Sequence, residues 1–505
     1  MDNVERVALE TLQLGKQAIV FVASRASAEK TAENISKLHT AAELELEQDI
    51  LSAVASPTKQ CRRLSHCIKK GVAFHHAGLT NKQKEIIEDG FRSGKVGIIC
   101  ATPTLAAGLS LPAFRVLMKS LKRYSGSWGM NWIPVLEYLQ MAGRAGRPEY
   151  ESVGEAISFA RNSTEKDEIH ERYILGEAED ISSKLAVEPV LRTYLLSLIS
   201  SGIIRDEKTM NGFFAKTFWA HQYGDMQELQ GKMQRMLALL EEWGFVSVTG
   251  GSSGMFVAAS EMNSVKTIRP TMIGKRISEL YLDPLTARHL LDCMTKYRSE
   301  IFPILQMISS TLEMRPLLRV KSKEQDMVQE ALGTWYNSLL MDEPNVYDIE
   351  YPEFMNSIKT ALFFDAWINE HNEDYLFETF GIRPGEIRMK IESADWLLYA
   401  ASELSRLQDQ HEIVRVLQKV RVRVKNGVKE ELLPLLKMKG IGRVRGRKLI
   451  VNGIRNLGDV KKVDIATLGQ IVGKALASSL KKQVGEDVVV ISPGKRKGQM
   501  SLEKY

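Results

Sequence analysis

The sequence predicts a multidomain α/β plus α protein, and three observations carry that expectation. Short apolar runs at Gln17–Ala23, Val72–Phe74, Val96–Cys100, Val116–Met118 and Ala156–Phe159 alternate with helical stretches, which is how a doubly wound parallel sheet is written. Residues 266 to about 410 read as almost wholly helical. Residues 413–505 hold 22 Lys and Arg against 7 Asp and Glu, a balance of +15 that leaves −9 for residues 1–412. A basic terminal module on an acidic body points to a polyanion contacted mainly by that end. The alternative is an ordinary solvated basic tail.

With 505 residues, 44% of them hydrophobic, the chain is long enough for three or four domains. Cys61, Cys67, Cys100 and Cys293 form no C-x-x-C pair, and there is no secretory signal and no apolar run long enough to span a membrane. The expectation is a reduced cytoplasmic protein without a membrane partner. Cys61, His66, Cys67, His75 and His76 crowd together in sequence, but their spacing is not that of a zinc finger or ribbon, so no metal is expected there.

Gln17–Ala23 has the continuous apolarity of a strand buried on both faces, and Ser24-Arg25-Ala26-Ser27 then opens a helix running to about Leu38. Further helical stretches fall near 81–92 and 134–145. Residues 140–148 read Gln-Met-Ala-Gly-Arg-Ala-Gly-Arg-Pro. Two guanidiniums carried on small residues can neutralise charge building on a transferring phosphate. The complementary Gly-x-x-x-x-Gly-Lys-Ser/Thr loop, whose backbone amides would cradle a triphosphate, is absent from the 505 residues. Asp167-Glu168-Ile169-His170 spells a magnesium-binding box, but it follows Asn162–Lys166 rather than a buried apolar strand. It is read as part of a solvated helix, because a metal carboxylate belongs at a strand's end.

Leu121–Trp132 carries Lys122, Arg123, three aromatics and two glycines, fitting a β-hairpin whose tip wedges against a base pair, with Trp128 and Trp132 either wedging or packing. Helices over 185–240, then Trp243–Val248, Gly250-Gly251 and Met255–Ala258, fit a winged helix. Asp283-Pro284 and Arg383-Pro384-Gly385 break the helical region. Between Glu386 and Leu407, Ile387, Ile391, Ala394, Leu398 and Ala401 share one broad face, while Met389, Glu392, Trp396 and Tyr399 lie opposite. Trp396 is therefore a candidate to stack on a base, core packing being the alternative. Leu432–Leu449 reads as a helix-hairpin-helix, with Gly440 and Gly442 allowing the turn and exposing amides while Arg443, Arg445, Arg447 and Lys448 supply charge. The polar, basic tail ends with Gln499, Leu502 and Tyr505 spaced like a peptide that docks into sliding clamps, though with one terminal aromatic where two are usual.

Four motifs, Phe21–Arg25, Phe74–Leu79, Ala101–Gly108 and the arginine motif, resemble in order and spacing the second RecA-like domain of the Ski-like branch of superfamily-two helicases. The resemblance implies that Thr102 contacts nucleic-acid phosphates, that Gly108 lies near the nucleotide, and that Gln140, Arg144 and Arg147 act catalytically on the γ-phosphate of ATP. Mg2+ and most of the nucleotide would be held by a first RecA-like domain that this chain lacks. In the Hjm-type archaeal repair helicases of this branch, a "ratchet" helix grips single-stranded DNA through a tryptophan and a basic residue. Trp396 stands where that tryptophan would. Met389 occupies the position of the basic partner, flanked by Arg388 and Lys390. The implied plan is a second RecA-like domain at 1–180, a winged helix at 181–265, a helical ratchet bundle at 266–411, a helix-hairpin-helix at 412–490 and a flexible basic tail at 491–505. The implied function is that of the C-terminal part of an ATP-dependent 3′-to-5′ DNA helicase working on single-stranded and forked DNA in replication and repair. It would be inactive as an ATPase alone and need the first RecA-like domain in cis or in trans. An RNA helicase of the same branch and a non-catalytic nucleic-acid-binding protein are the rivals.

Overall fold

The computed structural model describes residues 2–39, 44–54, 57–106, 111–124, 130–146, 153–224, 226–249, 266–297 and 300–485. They fall into two compact units, Met1–Leu285 with Asn372–Glu392, and Thr286–His371 with Ser393–Tyr505.

The first unit is built on a five-stranded sheet of β1 (Ala18–Phe21), β2 (Val72–His75), β3 (Ile98–Ala101), β4 (Arg115–Met118) and β7 (Glu155–Ser158). All pairings are parallel, in the order β2-β3-β1-β4-β7. Every residue of β1, β2 and β3 is buried, which is why each reads as an unbroken apolar run rather than an alternating one. Helices Arg25–Leu38 and Asn81–Arg92 begin at Ser24 and Thr80, whose hydroxyls accept from Ser27 N–H and Gln83 N–H. These caps satisfy first-turn amides that have no partner inside the helix. The expected hairpin is present as β5 (Lys122–Tyr124) against β6 (Met130–Trp132), antiparallel with Lys122 opposite Trp132. Its tip, with Trp128, lies outside the described residues.

Helices Glu188–Ser200, Glu207–Phe214, Phe218–Tyr223 and Met226–Glu242 follow, ending in β8 (Val246–Thr249). The partner of β8 is β9 (Thr267–Pro270), antiparallel. The stretch expected to pair there, Met255–Ala258, lies outside the described residues. Arg192 and Asp283, both buried, join this region to its exit through Nε–Oδ1 at 2.6 Å and Nη2–Oδ2 at 2.9 Å.

The second unit is helical. Two of its helices, Pro284–Lys296 and Pro384–Leu407, start in the first unit at Pro284 and Pro384, because proline lacks an N–H that a first turn would leave unused anyway. Ile301–Ser309 and Tyr351–Ile368 pack face to face, and Lys359 lies fully buried with Nζ 2.7 Å from Glu324 Oε2 and 2.8 Å from the Arg319 carbonyl. Residues 430–485 gather around Leu435, Ile441, Leu449, Val460, Leu468 and Leu480.

Candidate functional site

Arg144 follows helix Val135–Ala142, whose carboxyl end is Gly143. Its carbonyl accepts from Ala113 N–H at 2.9 Å, and Gly146 N–H returns to the Ala113 carbonyl at 2.8 Å. Gly146 has φ +95°, a left-handed backbone that glycine adopts without a Cβ penalty. The arginine loop is thereby pinned beside the segment entering β4. Not all of the motif residues lie at the carboxyl ends of strands: Thr102 does, directly after β3, but Arg144 sits in a helix-to-strand connection, which a parallel sheet places at its opposite edge.

The side chain nevertheless reaches across to the other motif. Arg144 Nη2 donates to the carbonyl of Ala106, just past the turn Pro103–Leu105 that Thr102 caps. Arg144 Nε is buried without a hydrogen-bond partner, and among the described residues the guanidinium makes no ion pair. Gln140 is exposed one turn earlier. Gly108 and Arg147 lie outside the described residues. Thr102 Oγ1 lies 3.0 Å from Thr104 Oγ1, and beside it opens a cleft of about 360 Å³ lined by His75, Ala77, Asn81, Lys84, Glu88 and Thr104.

Asp167-Glu168-Ile169-His170 lies on and just beyond helix Ser163–Ile169, away from any strand end. Glu165 and Glu168 point their carboxylates at Lys122, at 3.4 and 3.7 Å. Lys122 also sits over the Trp132 ring, 4.0 Å from its centre, and Arg123 holds Glu137 at 2.9 Å. Both basic residues expected to meet nucleic acid thus carry internal partners.

In helix Pro384–Leu407, Ile387, Ala394, Leu397, Leu398, Ala401 and Leu404 are buried while Met389 is exposed. Trp396 is half-buried. Arg388 is exposed and pairs with Glu392 at 2.9 Å. Burial pushes the Lys390 ammonium down to about 8. Sequence reasoning missed Arg421, which grips Asp395 at 2.8 and 3.2 Å and lies over the Tyr399 ring at 4.8 Å. No sequence spacing announces it, because it comes from the next helix, His411–Asn426.

The turn Gly440–Gly442 has the expected glycine where φ is +87°, at Gly440, whereas Gly442 is extended with open space around it. The segment before it is not an α-helix but the 3₁₀ turns Glu430–Leu432 and Leu435–Lys437, since Pro434 removes an amide between them. Helix Arg443–Val451 follows. Arg445 and Lys448 are exposed. Arg443 donates to the His371 carbonyl at 2.7 Å and lies 4.9 Å from the Trp367 ring centre. Arg447 is bound to Glu370 and Glu431. Gln499, Leu502 and Tyr505 lie outside the described residues. Among the described residues no group of three or more His, Cys, Asp or Glu is placed to hold a metal ion, and no helix is long and apolar enough to cross a membrane.

The parallel sheet with its arginine loop and threonine turn is a helicase domain: residues 2–149 match the family described as "Helicase conserved C-terminal domain". Residues 302–427 match "Archaeal helicase, domain 4". The chain is 36% identical over 503 residues to the ATP-dependent DNA helicase Hel308 of Methanocella arvoryzae, covering 96% of this chain and 65% of that one. It is 34% identical to the ATP-dependent DNA helicases Hel308 of Methanococcus vannielii, over 527 residues, and Pyrococcus horikoshii, over 509, covering 68% of each and 96% and 98% of this chain. The chain belongs to the Hel308 family of archaeal superfamily-two DNA helicases. It spans about two thirds of the length of the curated relatives it matches.

Proposed function

We propose that the chain is the nucleic-acid-gripping part of an ATP-dependent, Hjm-type 3′-to-5′ DNA helicase acting on single-stranded and forked DNA in replication and repair. In this reading Arg144, with Arg147 and Gln140, completes a nucleotide site whose triphosphate and Mg2+ are held mainly by a first RecA-like domain, in cis or in trans. The observation that carries it is the Arg144 guanidinium, which bridges the two motifs through the Ala106 carbonyl and has no carboxylate partner among the described residues. A structural arginine at that depth would normally be paired with a carboxylate. A guanidinium with no carboxylate partner among the described residues suits an incoming phosphate.

Downstream, Trp396 stacks on a base while Arg388 and Lys390 hold adjacent phosphates. Thr102, Lys122, Arg123 and Trp128 meet the strand at the motor end. At the carboxyl end, the turn amides at Gly440 and Gly442 and the charges of Arg445 and Lys448 engage phosphates without reading sequence. Arg443 and Arg447, tied to neighbouring groups, hold the module in place. The tail residues Gln499, Leu502 and Tyr505 are proposed as a docking peptide for a sliding clamp.

Mixing the purified chain with the first RecA-like domain of a relative tests the reading. DNA-stimulated ATP hydrolysis is expected in the mixture and in neither component alone. Hydrolysis by this chain alone, or none in a stable complex, contradicts it.

A further inference from the structure

Within the first unit, the loop His76–Leu79 and the opening turn of helix Pro384–Leu407 are joined backbone to backbone. Gly385 N–H donates to the Gly78 carbonyl at 3.0 Å. That amide belongs to a helix's first turn and has no partner inside the helix, so the loop acts as its cap. A Cβ at position 385 would lie 2.3 Å from the Ala77 carbonyl oxygen and 2.5 Å from that of Leu79, and only glycine allows so close an approach.

Charged groups surround this seam. Arg25, the first residue of the helix after β1, pairs through Nη1 with Glu386 Oε1. Glu386 also accepts from Arg383 N–H at 3.1 Å. Arg383 Nε lies 3.2 Å from Glu29 Oε1, and Glu29 is held in turn by Arg63 at 2.6 Å and Gln60 at 3.0 Å. His76 Nδ1 accepts from Gly78 N–H at 3.1 Å, which sets the loop's bend. From this seam the helix runs without interruption to Leu407, so Trp396 stands three turns beyond Gly385, about 16 Å along the axis.

We propose that Arg383–Glu386 is a transmission joint: these positioning residues carry displacements of the His76–Leu79 loop along the helix axis to Trp396, and carry the consequences of DNA gripping back to the loop. The proposal rests on the reading that Trp396 grips DNA. Reciprocity follows from linkage, since a site that moves another is moved by it.

Hydrogen exchange read by mass spectrometry on the full chain, with and without a single-stranded oligonucleotide, tests this. In the unaltered chain DNA should slow exchange both around 393–399 and around 76–80, the latter by about fivefold. Gly385→Ala should keep the first protection and lose the second. Arg25→Gln, which leaves the Glu386 bond to the Arg383 N–H in place, should weaken it, and Arg25→Lys should keep most of it. Equal protection of the loop in every variant overturns the joint, as does an unprotected loop beside a protected 393–399 in the unaltered chain, which leaves the DNA-gripping reading intact. Absence of protection at 393–399 overturns both.

Discussion

Arg447 clasps Glu370 with two parallel bonds, Nε to Oε2 and Nη2 to Oε1, each 2.7 Å long, although the residues stand 77 positions apart. Glu370 is largely buried, and Arg447 also reaches Glu431 at 2.7 Å. Hydrogen bonding to these carboxylates raises the Arg447 pKa, and burial of Glu370 is outweighed by the same bonds, which lower its own. Arg447→Ala should therefore cost about 2 kcal/mol in urea unfolding, because it strands a buried carboxylate.

Arg445 is exposed and, among the described residues, donates to the nearby Gly440 carbonyl at 2.9 Å. Arg445→Ala should leave stability unchanged and reduce the salt dependence of DNA binding by about one unit of slope. Titrations at several salt concentrations read this, and an unchanged slope argues against a phosphate contact there.

Much of this was legible in the sequence. The buried strands announced themselves as apolar runs because both their faces are covered, and the breaks read at Pro284 and Pro384 fall where new helices open, because proline costs nothing at a first turn. The resemblance to superfamily-two helicases holds at the level of the archaeal Hel308 family. What could not be read were pairings between distant residues. Arg383 meets Glu29 across 354 positions and Arg447 meets Glu370 across 77, so a basic cluster that looks uniform in sequence divides into structural and exposed members. The turn glycines show the same limit: spacing marked both Gly440 and Gly442, but only Gly440 needs a positive φ.

Trp396→Ala should weaken binding to single-stranded DNA by about 1 to 3 kcal/mol, while Trp396→Phe keeps most of the affinity through stacking. Fluorescence anisotropy with a labelled oligonucleotide decides it. Equal losses in both variants would point to packing instead.

Burial holds Lys390 at about 8, below the ordinary lysine value of 10.5. Between those values the unfolded chain binds the extra proton, so this group's contribution to stability rises with pH from about 8 toward 10.5. DNA binding should run the other way. Affinity should fall as pH climbs from 7 to 9 and the ammonium loses its charge, and Lys390→Arg should flatten that dependence.

Burial alone would raise the Glu29 pKa, but His76, Arg383 and Arg63 outweigh it and hold the carboxyl at about 2. The stabilisation this represents is complete above the unfolded value of 4.5 and is lost as pH falls toward 2. Acid titration of thermal unfolding should show a shallower loss in Glu29→Gln, from a lower starting stability. An identical acid profile contradicts the assignment.

If Arg144 serves a phosphate supplied from elsewhere, the turnover of ATP by the chain assembled with a first RecA-like domain and single-stranded DNA will show it most directly. Arg144→Ala should lower that turnover by about three orders of magnitude or more while DNA affinity and melting temperature stay put. Undiminished hydrolysis in Arg144→Ala, or a loss explained wholly by unfolding, would contradict the account.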